Sequence, residues 1–361
     1  MDKVRILMVD DNEEICKETK EIFHGSTIEQ YQIDFEYIVG FELAIEKLTN
    51  TDFDILILDL FEGPPTEDNK NRPGEEVLDT IRKTCFIPII FYSGLIQIME
   101  PFKSGIIRTV RKSDGSQALT LEIQELINSR IPLVKSKLDR YIRESTRAFF
   151  WDFVQPEWKN INKIKDQVSL DYLLIRKLVN SLSKTNIELL TGVEPKPNKI
   201  HPIEFYVFPP DSENKEMGDI IQKDNTLFTV LTPSCDFILR EKICKAEHII
   251  LAKTIKIKEL PIYDEYINKK SNDAKNKLIG LMRGSTPRYF FLPQTPFIEN
   301  LLIDFQQILA VPYSELDNYK KVAKLDSPFS QSMLSGFTRY YNRIGHEDLD
   351  LEKILLEIKD D

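Results

Sequence analysis

The chain has 361 residues, enough for two or three domains. With 42% hydrophobic and 29% charged residues its composition is that of a soluble globular protein, and no apolar run approaches the ~18–20 residues that span a bilayer. The first residues, Met1-Asp2-Lys3, lack the regions of a secretion signal, and four cysteines do not make a disulfide scaffold at this length, so a reducing cytoplasm is expected. The net charge of −10 is uneven: residues 1–130 hold 14 Lys+Arg against 25 Asp+Glu (−11), and the remaining 34 and 33 leave residues 131–361 at +1. Acid in the first part disfavours nucleic acid there, and the remainder has no general basic footprint, so neither nucleic acid nor membrane is indicated as a partner.

In chain order, residues 1–130 alternate apolar strand-like runs with amphipathic helical stretches. The predicted strands are Val4–Val9, Phe35–Val39, Ile55–Leu58, Ile87–Tyr92 and Ile106–Val110. Helices between them are marked by Ile15, Ile22 and Phe23, with Asn12 or Asp11 as cap; by Ala44, Ile45 and Leu48; by Val77, Leu78 and Ile81; and by Leu119, Ile123, Leu126 and Ile127. This is the pattern of a doubly wound parallel sheet with helices on both faces. Pro132 interrupts the helical pattern and places a boundary near 130. A helix-rich connector is expected over 131–192, as a docked helix, a homodimerising pair or core of the next domain. Residues 193–361 then turn Pro-rich, at Pro195, Pro197, Pro202 and Pro209-Pro210, with short β-like runs at Ile203–Phe208, Leu227–Leu231, His248–Ile255, Tyr289–Leu292 and Leu301–Ile308. They predict a smaller α+β or β-barrel-like domain with a charged helix near Tyr263–Leu281 inserted and a helical, acidic end.

The chemistry lies at the strand ends. Asp10 and Asp11 follow the first strand, Asp59 the third, Ser93 ends the fourth and Lys112 follows the fifth. Carboxyl ends of parallel strands converge on one crevice. Three carboxylates there repel one another unless a divalent cation sits among them, and oxygen-only ligation suits Mg²⁺. A carboxylate can serve as nucleophile and become an aspartyl-phosphate, with an ammonium and a small hydroxyl contacting the phosphoryl oxygens. Singly, Asp10 reads as a helix cap, Ser93 as a turn residue and Lys112 as a solvated charge. Caps and turns do not, however, call for Asp59 and Lys112 at matching strand ends.

The runs "ILMVDDN", "LILDL", "IIFYSG" and "VRKSDG" together resemble the receiver domain of bacterial two-component response regulators, over about residues 1–130. The resemblance implies a flavodoxin-like five-stranded fold. It implies that Asp59 accepts a phosphoryl group from a histidine kinase or phosphotransfer protein, with Ser93 and Lys112 contacting it. It also implies Mg²⁺ held by Asp11, by Asp10 mainly through water, by Asp59 and by the backbone carbonyl of Phe61. Three positions depart from the family pattern. Asp59 and Gly74 are fifteen positions apart, so a longer loop borders the site; Thr109 stands where a switch aromatic is usual; and Ser113 replaces the usual proline.

After residue 130 there is no helix-turn-helix signature, G-G-[DE]-[DE]-F run or E-A-L run. The segment "LFTVLTPSCDF" is the most distinctive. Cys235, Cys244 and His248, with Cys244 and His248 four apart as on one helix face and His201 as a fourth ligand, have a composition that suits zinc, but their spacing fits no finger pattern and buried cysteine is usually core. A Cys235 nucleophile assisted by His248 or His201 competes with a plain structural thiol. The order of short strands is similar in texture to SH3-like barrels of growth-inhibiting ribonuclease toxins, without their catalytic residues. Arg283, Arg288, Arg339 and Arg343 form a candidate anion site, with scattered surface arginines as the plainer reading. The expectation is a response regulator that relays phosphorylation of Asp59 to an atypical output. The alternatives are a phosphate sink or docking module without effector activity, and a receiver-gated enzyme such as a nuclease.

Overall fold

The structure is a computed structural model and describes residues 3–63, 73–94, 103–161, 170–182, 184–192, 199–210, 214–240, 243–343, 349–352 and 354–355. The chain divides into two compact units, Met1–Pro195 and Lys196–Asp361.

In the first unit β1 (Lys3–Asp10) leads to α1 (Glu13–Phe23), the short β2 (Thr27–Ile28), β3 (Tyr31–Val39), α2 (Ala44–Asn50), β4 (Ile55–Leu58), α3 (Pro73–Thr84), β5 (Ile89–Ser93), β6 (Ile107–Arg111) and α4 (Gly115–Asn128). The sheet order is β2-β3-β1-β4-β5-β6, and every pairing is parallel except that of β2 with β3. Setting the β2 hairpin aside, the order is second, first, third, fourth, fifth, which is the flavodoxin-like winding. Strand alternation builds the two cores. Val4, Ile6, Met8, Ile55, Ile57, Ile90 and Tyr92 enter one. Leu7, Val9, Leu56, Leu58, Ile89 and Phe91 enter the other. A sheet covered on both faces needs continuous apolar strands, which is why β4 reads Ile-Leu-Ile-Leu with every residue buried. Leu119, Ile123, Leu126 and Ile127 form the buried stripe of α4. The third strand of the winding was expected from Ile55 and is found there; β3 begins four residues before the expected Phe35, because its hairpin with β2 extends it.

After Pro132 the chain stays with this unit. Helix α5 (Ile131–Ala148) is tied to it by the Ser136 hydroxyl donating to Asp54 and by an Arg143–Asp52 ion pair at 2.7 Å. A wider-wound turn, Phe149–Val154, leads into α6 (Gln155–Ile161), followed by α7 (Leu170–Ser181) and α8 (Lys184–Thr191). This helical stretch buries Leu133, Phe149 and Val154 while Trp151 and Trp158 remain exposed.

The second unit contains β7 (Tyr206–Val207), β8 (Asp219–Lys223), β9 (Thr226–Val230), the hairpin β10 (Leu239–Arg240) and β11 (Ile243–Cys244), β12 (His248–Lys256), α9 (Pro261–Lys269), α10 (Asn272–Met282), β13 (Tyr289–Leu292), β14 (Leu301–Pro312), β15 (Lys320–Leu325) and α11 (Phe329–Tyr341). Seven strands form one antiparallel sheet in the order β13-β14-β12-β9-β8-β15-β7. The charged insertion is a pair, α9 and α10, rather than one helix, because Lys270 adopts a left-handed conformation and Ser271 caps the second helix. Packing around Phe305, Met333 and Tyr340 joins α11 to the sheet.

An ion pair between the partly exposed Arg288 and the buried Asp304 links the start of β13 to β14. Asp304, fully buried, accepts from Arg288 Nε at 2.7 Å and Nη2 at 2.6 Å, from Gln306 N–H at 3.0 Å and from Gln307 Nε2 at 2.9 Å. Burial pushes its carboxyl up, but the bonds from Arg288 and Gln307 outweigh it and hold it below the usual range. A lowered folded value means this contribution is present above the ordinary carboxylate pKa and is lost as pH falls through the folded value. Arg288→Leu should therefore cost the second unit about 3 kcal/mol at neutral pH, the penalty of an unpaired buried charge. The cost should shrink on acidification, when the orphaned carboxyl takes a proton. Urea melts of both proteins at neutral and acidic pH test this, and an equal cost at both would contradict it.

Candidate functional site

The crevice lies where β1 and β4 end, the strands on either side of the point at which the winding reverses. The Asp59 N–H donates to Val9 O at 2.9 Å, which carries the β1–β4 register one residue past β4 and sets Asp59 beside Asp10. Ser93, the last residue of β5, lies level with Arg111 of β6, so Lys112 follows at the same rim. The sheet thus brings Asp10, Asp11, Asp59, Ser93 and Lys112 to one edge.

Asp10 and Asp59 are buried, and Asp11 is half-buried. Oxygens of all three carboxylates lie within 4.8 Å of one another. The Lys112 ammonium bridges two of them, at 2.7 Å from Asp10 Oδ2 and 2.5 Å from Asp59 Oδ2. Burial works against that charge, but Asp59 and Asp10 outweigh it and hold Lys112 above its usual value. Burial raises the Asp10 carboxyl to about 6 even with Lys112 beside it, and the neighbouring Asp59 adds to the rise. Asp59 Oδ1 accepts from Leu60 N–H at 2.6 Å, and Asp11 Oδ2 from Gly63 N–H at 2.6 Å. The cap of α1 is Asn12, whose Oδ1 accepts from the Glu14 and Ile15 N–H groups. Asp10 is therefore not spent as a helix cap; its Oδ1 accepts from Asn12 N–H at 2.9 Å and its Oδ2 faces Lys112.

Ser93 is 1% exposed, and its hydroxyl is buried with no hydrogen-bond partner among the described residues. A polar atom left so is costly unless something else meets it. Thr109, at the expected switch position, is buried on β6. Phe61 has its ring buried in the core, which anchors the chain between Asp59 and the Gly63 amide that meets Asp11. The cluster of carboxylates and the orphaned hydroxyl fit an oxygen-ligated divalent cation beside an oxyanion-bearing group. Most of the long loop expected to border the site, residues 64–72, lies outside the described residues.

Sequence reasoning did not show why position 74 must be glycine. A Cβ there would sit 2.2 Å from Asp59 O and 2.9 Å from Leu60 Cα, both backbone atoms that cannot swing away. Gly74→Ala should push α3 away from the end of β4, lower the midpoint of thermal unfolding and displace Asp59. A melt within about 0.5 kcal/mol of the unsubstituted protein, the range of an innocuous surface change, would contradict this close approach.

The zinc grouping does not form. Among the described residues the only cluster of three or more acidic, His or Cys ligands is that of Asp10, Asp11 and Asp59. Cys244 and His248 were expected four apart on one helix face, but they lie on two different strands, β11 and β12, joined by the bend at 245–247. Cys244 is buried with its thiol directed to Asp236 O at 3.3 Å. Cys235 is exposed, beside Asp236. His201 caps the short turn Pro202–Phe205. Among the described residues no hydrogen bond joins a histidine to Cys235. Of the four arginines proposed as an anion site, Arg288 is held by Asp304 and Arg343 stacks on Tyr340, 4.2 Å from its ring centre.

No protein-family model matches the chain, and no curated protein matches it. Solved structures similar to it are receiver domains and a response regulator. The Francisella response regulator 1452 receiver domain is 20% identical, over 35% of this chain and 98% of that one, with a TM-score of 0.29. The signal receiver domain of an HD domain-containing protein from Pseudomonas fluorescens Pf-5 is 19% identical, over 36% and 90%, with a TM-score of 0.28. The Salmonella typhimurium RcsB response regulator is 17% identical, over 54% and 95%, with a TM-score of 0.26. At such scores the weight falls on the strand order and on the residues at its rim.

Proposed function

We propose that residues 1–130 are a phosphoryl-accepting receiver and that the chain is a response regulator with an atypical output. The observation that carries this is the meeting of Asp59 with Lys112 and the buried Ser93 hydroxyl, which has no partner among the described residues, at the switch point of a flavodoxin-like sheet.

In this reading an Asp59 carboxylate oxygen attacks the phosphorus of the donor, and the bond between phosphorus and the donor's histidine nitrogen breaks. Lys112 then contacts the phosphoryl oxygens as well as Asp10, and Ser93 donates its hydroxyl hydrogen to one of them. Asp10, Asp11, Asp59 and the Phe61 carbonyl would hold Mg²⁺, which supplies charge neutralisation at the transferring group. Leu60 N–H keeps Asp59 Oδ1 fixed, and Oδ2, which Lys112 contacts at 2.5 Å, becomes the reacting oxygen as the ammonium moves to the phosphoryl group. A histidine kinase or phosphotransfer protein is the donor, and the second unit carries the output. The chain has no described helix long and apolar enough to cross a membrane, and a cytoplasmic location fits a kinase-coupled regulator.

The test is incubation of the full chain with acetyl phosphate and Mg²⁺, followed by reductive trapping and peptide mapping. Label on the peptide containing Asp59, lost on chelation of the metal, is the expected result. Label elsewhere, or none while a control receiver is labelled, would sink the assignment.

A further inference from the structure

The second unit holds a cleft of about 410 Å³ that the phosphoryl chemistry does not use, within the range of small-molecule sites, ~300–1,000 Å³. Its wall is aromatic: the half-buried Tyr289 and Phe290 from β13 and Phe329 at the start of α11, with the fully buried Phe305 of β14 beneath them. Arg283, just past α10, and Arg339, in the last turn of α11, stand at the same cleft. They are the two of the four candidate arginines that the fold leaves over. Neither has a carboxylate partner among the described residues, and no acidic residue among the described ones lines the cleft.

Gly336 adds an independent observation. Glycine is unfavourable inside a helix, yet it sits in the middle of α11 at this cleft. Packing does not require it: a Cβ there would make ordinary contact with the Phe305 ring, at 3.5 Å and 3.8 Å. Gly280 in α10 differs, since its Cβ would meet Ser285 Oγ at 2.7 Å. The effect of glycine at 336 is to keep the helix wall bare above the aromatic floor. Ser332 and Ser335, exposed on the same helix, add hydroxyls that can donate or accept.

We propose that this cleft binds a free nucleotide, its base against the aromatic wall and its phosphate between Arg283 and Arg339. Planar rings stack on aromatic side chains. Guanidinium groups bind phosphate through paired N–H donors and have no acceptor of their own. Absence of lining carboxylates and presence of two unpaired cations select an anion, and the rings select one that carries a flat aromatic group. The inference does not depend on Asp59 being phosphorylated.

The test is calorimetric titration of the full chain, without Mg²⁺ so that the carboxylate site stays silent. The probes are the four ribonucleoside 5′-monophosphates and 5′-triphosphates, with adenosine and inorganic phosphate as partial ligands. At least one nucleotide should bind about tenfold or more tightly than either partial ligand, because only it engages both ring and cation contacts. Arg283→Gln and Arg339→Gln, exposed and unpaired, should each weaken it about tenfold, the scale of one charge-assisted contact. Gly336→Leu should abolish binding. Gly336→Ala, which the contacts tolerate, should melt no lower than the unsubstituted protein yet bind more weakly, and it carries the steric arm if the leucine variant does not fold. Nucleotide binding no tighter than phosphate, unchanged binding in both arginine variants, or binding of single-stranded oligoribonucleotides with no mononucleotide binding would each overturn the proposal.

Discussion

Asp59→Asn is expected to abolish phosphoryl acceptance while leaving the first unit folded. The substitution removes the nucleophile, and the amide has no charged oxygen with which to attack phosphorus. It keeps an oxygen that can accept from Leu60 N–H, as Asp59 Oδ1 does at 2.6 Å. It also removes one of two buried carboxylates that share Lys112, relieving the repulsion that helps raise Asp10 to about 6. The folded state should therefore be unharmed or modestly stabilised. The measurements are labelling by acetyl phosphate and a thermal melt of the same preparation. Label remaining at the unsubstituted level would remove Asp59 from the chemistry. A collapsed melt would instead show that Asp59 is chiefly structural, and Asp59→Glu would then separate the two roles.

Lys112→Ala is expected to do damage of both kinds. It strands two neighbouring buried carboxylates, at an expected cost of about 3 kcal/mol for breaking a buried pair. The loss should be smaller on acidification, because Asp10, whose raised folded value favours the protonated form, can then take up the missing charge as a proton. Mg²⁺ should restore more stability to the variant than to the unsubstituted protein, since three carboxylates without their ammonium bind a cation more strongly. Phosphoryl acceptance should fall by roughly 10²-fold, the scale of losing one preorganised charge contact. Urea melts with and without Mg²⁺, and initial labelling rates, give both numbers. An unshifted melt would mark Lys112 as an ordinary solvated ammonium.

Much of the first unit was legible because its signals are local. A strand buried on both faces must be apolar throughout, so Ile55–Leu58 announced itself, and residues just past such strands are at the rim whatever the loops do. Helix α4 declared its buried stripe through the spacing of Leu119, Ile123, Leu126 and Ile127. The cap of α1 was open between Asn12 and Asp11, and geometry chose Asn12. Less was legible where partners are distant. The spacing of Cys244 and His248 matches one face of a helix, but the two residues belong to different strands, β11 and β12, and do not gather with Cys235 or His201 into a ligand cluster among the described residues. The four arginines were indistinguishable in sequence, because whether an arginine is spent depends on a carboxylate or ring elsewhere in the chain. Asp304 claims Arg288 and Tyr340 claims Arg343, leaving Arg283 and Arg339 at the cleft.

By itself the sequence determined the strand–helix alternation of the first unit and the carboxylates, hydroxyl and ammonium at its strand ends, because period and strand termini are properties of adjacent residues. Tertiary structure alone decided that Lys112 lies between Asp10 and Asp59, that the buried Ser93 hydroxyl has no partner among the described residues, that Gly74 abuts the Asp59 carbonyl and that an aromatic cleft gathers two arginines without a carboxylate partner among the described residues. Each of these is a distance between residues far apart in the chain, and such distances are set by how the sheets wind and pack rather than by any local pattern.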